Sequence, residues 1–212
     1  MFRLKFRMIQ ESSSTPLDEL MKGIDPARRE AVLRYKSENV RRLSVAAGLL
    51  LAEAVKEELG LDPDEIEVET RENGKPYIKG HEDFHYNLSH SGEMAVIAYG
   101  DEPVGVDVEQ VKYKRHDADV AQRFFTEKEA RYILDGGDYD EAAAERFFRV
   151  WTRKESYLKL LGFGLMKELK SFDVTDPTTA EGYGFAEYMD GEYIVTVCAS
   201  QKTIEENTGD GF

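Results

Sequence analysis

VGVDVE (residues 104–109) is the stretch of sequence that decides the fold, because its side chains alternate in chemistry from one residue to the next. Successive side chains of a β-strand point to opposite faces of the sheet. The three valines therefore share one face, which is predicted to pack on the core. Gly105, Asp107 and Glu109 share the other face, which places the two carboxylates roughly 6–7 Å apart along the strand. The stretch predicts a strand that is buried on one side and carries its polar groups on the other.

The two acids of this strand are spaced for a single hard cation. Mg²⁺ takes oxygen ligands at about 2.1 Å, so one ion fits between Asp107 and Glu109. Gly105 has no side chain and keeps this face open. A half-exposed strand with two solvated acids has the same pattern, so the pair alone leaves both interpretations open.

WTRKESYLK (residues 151–159) supplies a third carboxylate and a lysine on a predicted helix. The apolar stripe of this helix has helical spacing and consists of Phe147, Val150, Trp151, Leu158 and Leu161. Trp151, Glu155 and Lys159 lie in one row, so Glu155 flanks the buried face. The alternative is a surface Glu–Lys pair, which stabilises a helix by about 0.2–0.5 kcal/mol and needs no function. Together with the strand, the helix predicts a magnesium site beside a lysine, which suits chemistry on a phosphate.

The composition of the chain limits the classes of protein to which it can belong. The chain has 212 residues, of which 41% are hydrophobic, enough for one compact domain or two small, closely associated halves. No apolar run approaches the ~18 residues that span a membrane. The N-terminal sequence MFRLKFRMIQ alternates like a strand and lacks the continuous apolar stretch of a secretory signal. The single cysteine, Cys198, lies in an apolar run, which excludes a disulfide framework and predicts a buried thiol. These features predict a cytoplasmic protein without a membrane partner.

The charge distribution favours a polyanionic ligand or an acidic partner. The net charge of −14 argues against nonspecific binding of nucleic acid. Two segments are nevertheless basic: residues 28–42 carry six basic and two acidic side chains, and residues 146–170 carry seven and two. Solvated helix faces would give the same charge runs, so each segment on its own is weak evidence for a binding site.

Hydrophobic periodicity and turn residues predict an α+β fold. The predicted strands are residues 2–9, 66–70, 74–78, 85–92, 94–100, 104–109, 171–175, 183–189 and 192–199, and the predicted helices are residues 26–59, 123–134 and 141–161. A turn at residues 101–103 is predicted to fold the strand at 104–109 back as an antiparallel hairpin. The polar tail after Ile204 is predicted to fray. The sequence contains no internal repeat, but the break near residue 102 divides it into similar halves, 1–102 and 103–212.

Two turns carry groups that suit phosphate binding. NLSHS (residues 87–91) ends a predicted strand, so that Ser89, His90 and the backbone N–H groups nearby could bind a phosphate. No acid is placed to complete a hydrolase triad. Gly74-Lys75-Pro76 is a turn with one cation and lacks the glycines and the Ser or Thr of a Walker loop, which excludes an ordinary nucleotide hydrolase.

Five motifs in order resemble the phosphopantetheinyl transferases of the longer, surfactin-synthetase-activating type. They are GKP (74–76), NLSHS (87–91), GVDVE (105–109), RFFTEKE (123–129) and WTRKESYLK (151–159), and the resemblance spans about residues 20–200. Members of that family transfer the 4′-phosphopantetheine arm of coenzyme A to a serine of an acyl or peptidyl carrier protein. They release adenosine 3′,5′-bisphosphate and require Mg²⁺. Their fold is a pseudo-dimer of two α+β halves with a pseudo-two-fold axis, and the active site lies in the cleft between the halves.

The resemblance also implies roles for single residues. Asp107, Glu109 and Glu155 match the metal ligands, and Glu155 also matches the proposed general base for the carrier serine. Lys159 matches the lysine that contacts the pyrophosphate and protonates the leaving group. The implied catalytic set is Asp107, Glu155, Lys159 and His90.

For coenzyme A, the resemblance implies contacts from both halves of the chain. The implied contact residues are Arg28, Gly74, Lys75, Pro76, Ser89, His90, Asp107, Glu155 and Lys159. Gly74 and Pro76 shape the turn beside the adenine, and Arg28 falls at a contact to the 3′-phosphate. Ala31 departs from the pattern, because some relatives carry a second lysine there. Arg34, Arg41 and Arg42 remain alternatives for that missing charge.

The carrier protein of such a reaction presents acidic, partly apolar helices, which predicts where it docks. Phe163, Leu165 and Met166 form a predicted apolar patch ringed by lysines such as Lys167, although core packing would explain the same apolar residues. Lys112, Lys114 and Arg115 are predicted to assist. The protein is expected to act as a monomer. Two other functions remain open: a Mg²⁺-dependent hydrolase of nucleotides or coenzyme A, and a coenzyme A-binding or scaffold protein without activity.

Overall fold

The computed structural model of the protein describes residues 1–12, 14–162, 169–175 and 182–208. Its strands are β1 (Phe2–Met8), β2 (Val68–Thr70), β3 (Pro76–Ile78), β4 (His85–Ser91), β5 (Met94–Gly100), β6 (Gly105–Gln110), β7 (Tyr183–Asp190) and β8 (Tyr193–Ser200). Its helices are α1 (Leu17–Leu20), α2 (Pro26–Arg34), α3 (Glu38–Leu59), α4 (Asp117–Phe124), α5 (Glu127–Leu134), α6 (Glu141–Leu161) and α7 (Gln201–Thr208). The fold mixes helices with antiparallel sheets, which confirms that part of the predicted class.

Two three-stranded antiparallel sheets organise the chain. The first has the order β1-β5-β4 and the second the order β6-β8-β7, while β2 and β3 form a separate ribbon. Every strand of the first sheet precedes residue 103 and every strand of the second follows it. Helix α3 packs on the first sheet, and α6 packs on β6 and β8 of the second.

Apolar side chains from both sheets meet in one shared cluster. Val96 of β5, Val106 of β6 and Val197 of β8 are all fully buried there. The valines at positions 104, 106 and 108 belong to this cluster, which confirms the predicted buried face of β6. Cys198 is also fully buried and free, as predicted. Within the described residues, no helix combines the length and apolarity that crossing a membrane requires.

The predicted hairpin between residues 94–100 and 104–109 is wrong. Strand β6 pairs instead with β8, as in the register Asp107 opposite Thr196, and so belongs to the second sheet. The turn at residues 101–103 carries the chain from one sheet to the other. A partner that lies 89 residues away along the chain, as Thr196 does from Asp107, leaves no local signal in the sequence. The β4–β5 hairpin, by contrast, was predicted correctly from its adjacent strands.

Two predicted helices are each broken in two. Residues 26–59 form α2 and α3, because Tyr35 and Ser37 adopt extended backbone angles that end one helix and start the next. The break lets Val32 pack with Val45 of α3 and Ile24, which one continuous helix could not do. Residues 123–134 belong to α4 and α5, which are separated at Thr126.

A capping box explains the second break. The Thr126 hydroxyl accepts from the Glu129 N–H at 3.2 Å, and the Glu129 carboxylate accepts from the Thr126 N–H at 2.9 Å. Reciprocal bonds of this kind start a new helix. By contrast, the helix predicted at residues 141–161 has those bounds in the structure, with Asp140 as its N-cap and Gly162 at φ +76° after its end.

Two predictions near the C-terminus are also wrong. Residues 171–175 form no strand, because Phe172 O accepts from Lys154 at 2.6 Å and Val174 N donates to Glu129 at 2.8 Å. The residues after Ile204 do not fray up to Thr208, since they continue α7. Asn207 fixes this helix to the start of β1 by accepting from Phe2 N at 3.0 Å and donating to Phe2 O at 2.6 Å.

Candidate active site

Side chains of β4 hold the backbone of β6 and so join the two sheets. Val106 N donates to Asn87 Oδ1 at 2.9 Å, Val108 N to Ser89 Oγ at 3.4 Å, and Gln110 N to Ser91 Oγ at 3.2 Å. We call these three bonds the β4–β6 ladder. Each rung joins residues 19 apart, so the two strands run in the same direction, with side-chain oxygens in place of the carbonyls of a normal sheet. The ladder brings the polar face of β6 against NLSHS.

Asp107 lies at the centre of this junction. The carboxylate is 5% exposed, and its Oδ1 accepts from Ser89 Oγ at 2.8 Å and from Lys159 Nζ at 2.6 Å. Lys159 Nζ also donates to Ser89 Oγ at 2.8 Å. Burial raises the pKa of Asp107, although the Lys159 charge and the hydrogen bonds oppose that rise. Three predicted site residues from β4, β6 and α6 are thus in direct contact.

Gly105 lets α6 approach β6 closely enough for this contact. A β-carbon on Gly105 would lie 2.0 Å from Ser156 O and 2.6 Å from Leu160 N. Both are backbone atoms of α6, which cannot move aside as a side chain could. The role predicted for Gly105 was to keep the polar face open; in the structure the missing side chain makes room for the helix that carries Glu155 and Lys159.

Glu155 and Glu109 complete the acidic cluster. Burial raises the pKa of Glu155, and the negative charge of Asp107 raises it further. Burial likewise raises the pKa of Glu109, against the effect of its bond from Ser91 Oγ to Oε2 at 2.6 Å. The three carboxyl groups are near enough to disfavour one another's charge, so a cation among them would relieve a repulsion that is built into the fold.

The carboxylate oxygens of this acidic cluster are chemically suited to bind Mg²⁺. Asp107 Oδ2 and Glu155 Oε1 are buried oxygens without any hydrogen-bond partner. Unpartnered buried carboxylate oxygens are costly unless something else satisfies them, and oxygen is the ligand that Mg²⁺ takes. Across the described ranges, however, no three His, Cys, Asp or Glu side chains are already grouped around one metal position. The Mg²⁺ site at Asp107, Glu109 and Glu155 therefore stays a prediction.

A cleft of about 370 Å³ opens beside this cluster. Its lining includes Arg28, Ser89, His90, Asp107 and Lys159. His90 is exposed. Enough of its ring is screened from water to lower the pKa of His90, and the Lys159 charge acts in the same direction. The cleft thus presents Arg28 and Lys159 beside an imidazole whose charged form is disfavoured.

Asp25 positions the arginine of this cleft. Its carboxylate is 2% exposed, caps α2 by accepting from Arg28 N at 2.8 Å, and lies 3.6 Å from Arg28 Nε. Gly48 lies beneath the arginine, because a β-carbon there would be 2.5 Å from Arg28 Cδ. Arg28 is therefore held against the first half of the chain while it faces the cleft.

The GKP turn borders a second cleft of about 270 Å³, which Gly74, Lys75, Pro76 and Asn87 line together with Lys159. Lys75 is 9% exposed, and its ammonium donates to Val104 O at 2.9 Å and to Leu160 O at 3.2 Å. Asn73 Nδ2 donates to Leu161 O at 3.3 Å. The turn therefore satisfies carbonyls at the C-terminal end of α6, where a positive charge is favoured.

Comparison with known proteins gives the family. The profile of the 4′-phosphopantetheinyl transferase superfamily matches residues 103–205, and that of the N-terminal part of 4′-phosphopantetheinyl transferase matches residues 11–102. A 4′-phosphopantetheinyl transferase from Bacillus subtilis is 32% identical over 196 residues, which cover 86% of this chain and 85% of the relative. The chain belongs to the 4′-phosphopantetheinyl transferase superfamily.

One further sequence relative agrees with this assignment. The 4′-phosphopantetheinyl transferase Sfp from Bacillus subtilis (strain 168) is 33% identical over 157 residues, 74% of this chain and 68% of the relative. A solved holo-(acyl-carrier-protein) synthase from Bacillus anthracis, in complex with CoA (3′,5′-ADP), aligns at 21% identity over 46% of this chain and 91% of that one. Its TM-score of 0.38 is too low to support a conclusion about the site. The resemblance seen in the motifs is confirmed by the sequence relatives.

Several predicted residues of this transferase lie away from the clefts. Arg41 Nε donates to Tyr35 O at 2.7 Å, Arg42 pairs with Glu38, and Arg34 is an exposed partner of Glu30. None of these arginines lines the cleft of Arg28, and a role for one of them in place of the charge absent at Ala31 stays a prediction. Lys112, Lys114 and Arg115 are exposed. Phe163, Leu165, Met166 and Lys167 lie outside the described residues.

Three residues that support the site residues of this transferase were not predicted from the sequence: Asn87, Ser91 and Asp25. Asn87 and Ser91 carry two of the three rungs of the β4–β6 ladder. Their signal was visible as the alternation N-x-S-x-S, which places three polar side chains on one face of a strand. Asp25 was also visible, since an acid before a helix-starting proline is a common N-cap.

Proposed function

We propose that this chain transfers the 4′-phosphopantetheine arm of coenzyme A to a serine of an acyl or peptidyl carrier protein and releases adenosine 3′,5′-bisphosphate. The contact of Lys159 with Asp107 and Ser89, beside the cleft of Arg28, is the observation that carries the proposal. A positive charge beside acid oxygens suits the binding of a pyrophosphate and supports the proposal. Membership of the superfamily sets the reaction class as phosphopantetheinyl transfer.

The cleft residues would bind the anionic part of coenzyme A. Arg28 is held by Asp25 and suits the 3′-phosphate, while Lys159 suits the pyrophosphate. His90 can donate a hydrogen bond to a phosphate oxygen. Ser89 is assigned to the same contact and would have to turn its hydroxyl from Asp107 to donate there. Gly74, Lys75 and Pro76 border the smaller cleft, which we assign to the adenine. Since phosphoryl transfer depends mainly on positioning and charge stabilisation, this set needs no covalent nucleophile.

Asp107, Glu109 and Glu155 would hold Mg²⁺, and the unpartnered oxygens of Asp107 and Glu155 support that assignment. When bound, the ion neutralises charge on the pyrophosphate. Glu155 is also assigned as the base that takes the proton of the carrier serine. Burial raises the pKa of Glu155 in the absence of the ion, which favours uptake of a proton by this carboxylate. Lys159 would give a proton to the departing phosphate oxygen.

We assign the active site to a cleft between two similar α+β halves, residues 1–102 and 103–212, related by a pseudo-two-fold axis. Two three-stranded antiparallel sheets, each from one side of residue 103 and each covered by a long helix, support this division. The site residues come from both sides, and the β4–β6 ladder lies where the sides meet.

The partner would be an apo carrier protein that binds next to the cleft. Carrier helices are acidic, so the exposed Lys112, Lys114 and Arg115 after β6 support docking on this side. The apolar residues Phe163, Leu165 and Met166 are assigned to the same surface from sequence alone. We further propose a monomeric, cytoplasmic enzyme that binds neither nucleic acid nor a membrane.

The test incubates the protein with coenzyme A, Mg²⁺ and an apo carrier protein and measures the mass of the carrier. Transfer adds one phosphopantetheine to the carrier. A coenzyme A hydrolase would release free phosphopantetheine without a carrier adduct, and a binding protein would leave both substrates unchanged. Either result would refute the proposed function.

Asp107→Asn tests the acidic cluster. The amide keeps the size of the side chain but loses the charge that pairs with Lys159, so kcat/KM should fall by more than about 100-fold, beyond the usual cost of losing an outer-shell partner. Asp138→Asn is the control, because Asp138 is exposed and lines neither cleft. Near-normal turnover of a folded Asp107→Asn protein would refute the metal assignment.

A further inference from the structure

Ser91 makes the same pair of hydrogen bonds as the site residue Ser89, two residues further along β4. Ser89 Oγ accepts from Val108 N and donates to Asp107 Oδ1. Ser91 Oγ accepts from Gln110 N at 3.2 Å and donates to Glu109 Oε2 at 2.6 Å. In both cases the hydroxyl holds a backbone N–H 19 residues ahead and a carboxylate 18 residues ahead. The repeat ties each acid of β6 to one serine of β4.

The rung at Asn87 shows that the ladder has two separable roles, which are to hold the backbone of β6 in register and to hold a carboxylate. Asn87 Oδ1 accepts from Val106 N at 2.9 Å, but position 105 is a glycine and offers no carboxylate. Within the ladder, Asn87 therefore holds only the backbone register, whereas Ser89 and Ser91 hold the register and an acid.

The end of β4 is fixed firmly enough for Ser91 to act as a support. Gly92 turns the chain at φ +57°, and a β-carbon there would lie 2.5 Å from Gln110 Oε1 and 2.7 Å from Tyr193 OH. Glu93 N donates to the same Tyr193 OH at 3.1 Å. The tip of the β4–β5 hairpin is therefore seated on β6 and β8, and Ser91 cannot move without them.

We propose that Ser91 is a positioning residue that aims the Glu109 carboxylate at the magnesium site. By occupying Oε2, its hydroxyl leaves Oε1 for the ion and removes the freedom of Glu109 to turn toward solvent. This inference rests on the proposed function, because it assumes that Glu109 is a ligand. Outer-shell partners of this kind commonly change metal affinity by about 10- to 100-fold.

The experiment measures Mg²⁺ binding by calorimetry with coenzyme A present and no carrier, so that no turnover occurs. Ser91→Ala should raise the Kd for Mg²⁺ by about 10-fold or more. Ser91→Thr keeps the hydroxyl and should restore most of the affinity. Asp138→Asn, at an exposed residue that lines neither cleft, is the control and should leave the Kd for Mg²⁺ near the wild-type value. If Ser91→Ala does not fold, Ser91→Cys keeps a similar size with a weaker donor and carries the same expectation.

A double variant tests whether Ser91 acts through Glu109. Ser91→Ala should cost no further affinity in a Glu109→Gln background, because non-additivity marks residues that act as a unit. An unchanged Kd in Ser91→Ala, or an equal loss of affinity in Ser91→Ala and the control Asp138→Asn, would overturn the proposal. A wild-type protein that transfers phosphopantetheine without binding Mg²⁺ would overturn it too, while leaving the transferase reaction itself intact.

Discussion

Lys75 buries a positive charge at the junction of the two sheets. Its ammonium donates to Val104 O and Leu160 O, and the side chain is 9% exposed. Burial lowers the pKa of Lys75 to about 8, because two carbonyl dipoles only partly replace the water that a full charge loses. The residue was predicted to contact coenzyme A, and it borders the smaller cleft. Its hydrogen bonds to these two carbonyls also give Lys75 a structural role.

The lowered pKa makes the contribution of Lys75 to stability depend on pH. Below about pH 8, folded and unfolded chains are both protonated, so the folded state bears the full cost of the buried charge. Between that pH and the ordinary pKa of 10.5, the folded state loses its proton first, so this contribution to the free energy of unfolding rises with pH.

Lys75→Met removes this titration while it keeps the length of the side chain. The stability of the wild type relative to Lys75→Met should therefore improve by roughly 2–3 kcal/mol between pH 7.5 and pH 10.5. Urea unfolding of both proteins at several pH values measures the difference between their free energies of unfolding. The contributions of other titrating groups cancel in this difference. Parallel stability curves for the two proteins would contradict the buried, titrating state of Lys75.

At the scale of elements, the site depends on how closely β6 approaches α6. Gly105→Ala would place a β-carbon 2.0 Å from Ser156 O, so strand and helix must separate. We expect a loss of about 3 kcal/mol or more in the free energy of unfolding. Transfer activity should fall as well, because the Lys159–Asp107 bond bridges the same two elements.

Gly137→Ala is the matched control for this prediction. The nearest atom to a β-carbon there is Leu134 O at 3.7 Å, an ordinary contact, so the change in stability should stay within about 0.5 kcal/mol. Thermal unfolding of both variants makes the comparison. Equal melting temperatures for the two variants would show that β6 and α6 tolerate a wider separation than the structure indicates.

The elements also show why some structure could be predicted and some could not. Helix α6 was predicted with its observed bounds, because Asp140 and Gly162 are local start and stop signals. The break at Thr126 was equally local, as the capping-box pattern T-E-K-E was present in the sequence. The loss of the strand at residues 171–175 was not local, since it depends on a buried ion pair between Lys154 and Glu129 at 2.9 Å.

The residues of the candidate site likewise divide into those that local sequence could predict and those that it could not. Asp107, Glu155 and Lys159 could be assigned from spacing and resemblance, because each lies in a short motif. The use of Ser91 and Lys75 as bridges could not, because their partners in β6 and α6 are distant along the chain. Strand β6 was assigned to the wrong neighbour for that reason.

At the scale of the whole molecule, the two sheets share one apolar cluster. Phe2 and Val96 enter it from the first sheet, and Val106, Val195 and Val197 enter it from the second. Neither sheet can bury these side chains alone, and each exposed valine would cost about 1.5–3 kcal/mol of lost burial. The two halves should therefore unfold together.

Separate expression of residues 1–102 and 103–212 tests this dependence. We expect neither half to give a cooperative urea transition, whereas the intact chain should unfold in one transition with coincident circular dichroism and Trp151 fluorescence. Folding of either half on its own, with a sharp transition, would contradict a shared core.

The bonds between Asn207 and Phe2 bring the start of β1 and the end of α7 into contact. A short peptide could therefore join these ends, and the chain could be reopened between β5 and β6. Such a circular permutant would keep every hydrogen-bonded strand pair of both three-stranded sheets, because no pair crosses residue 103. The order of the two halves would then be a property of the gene and not a requirement of the packing.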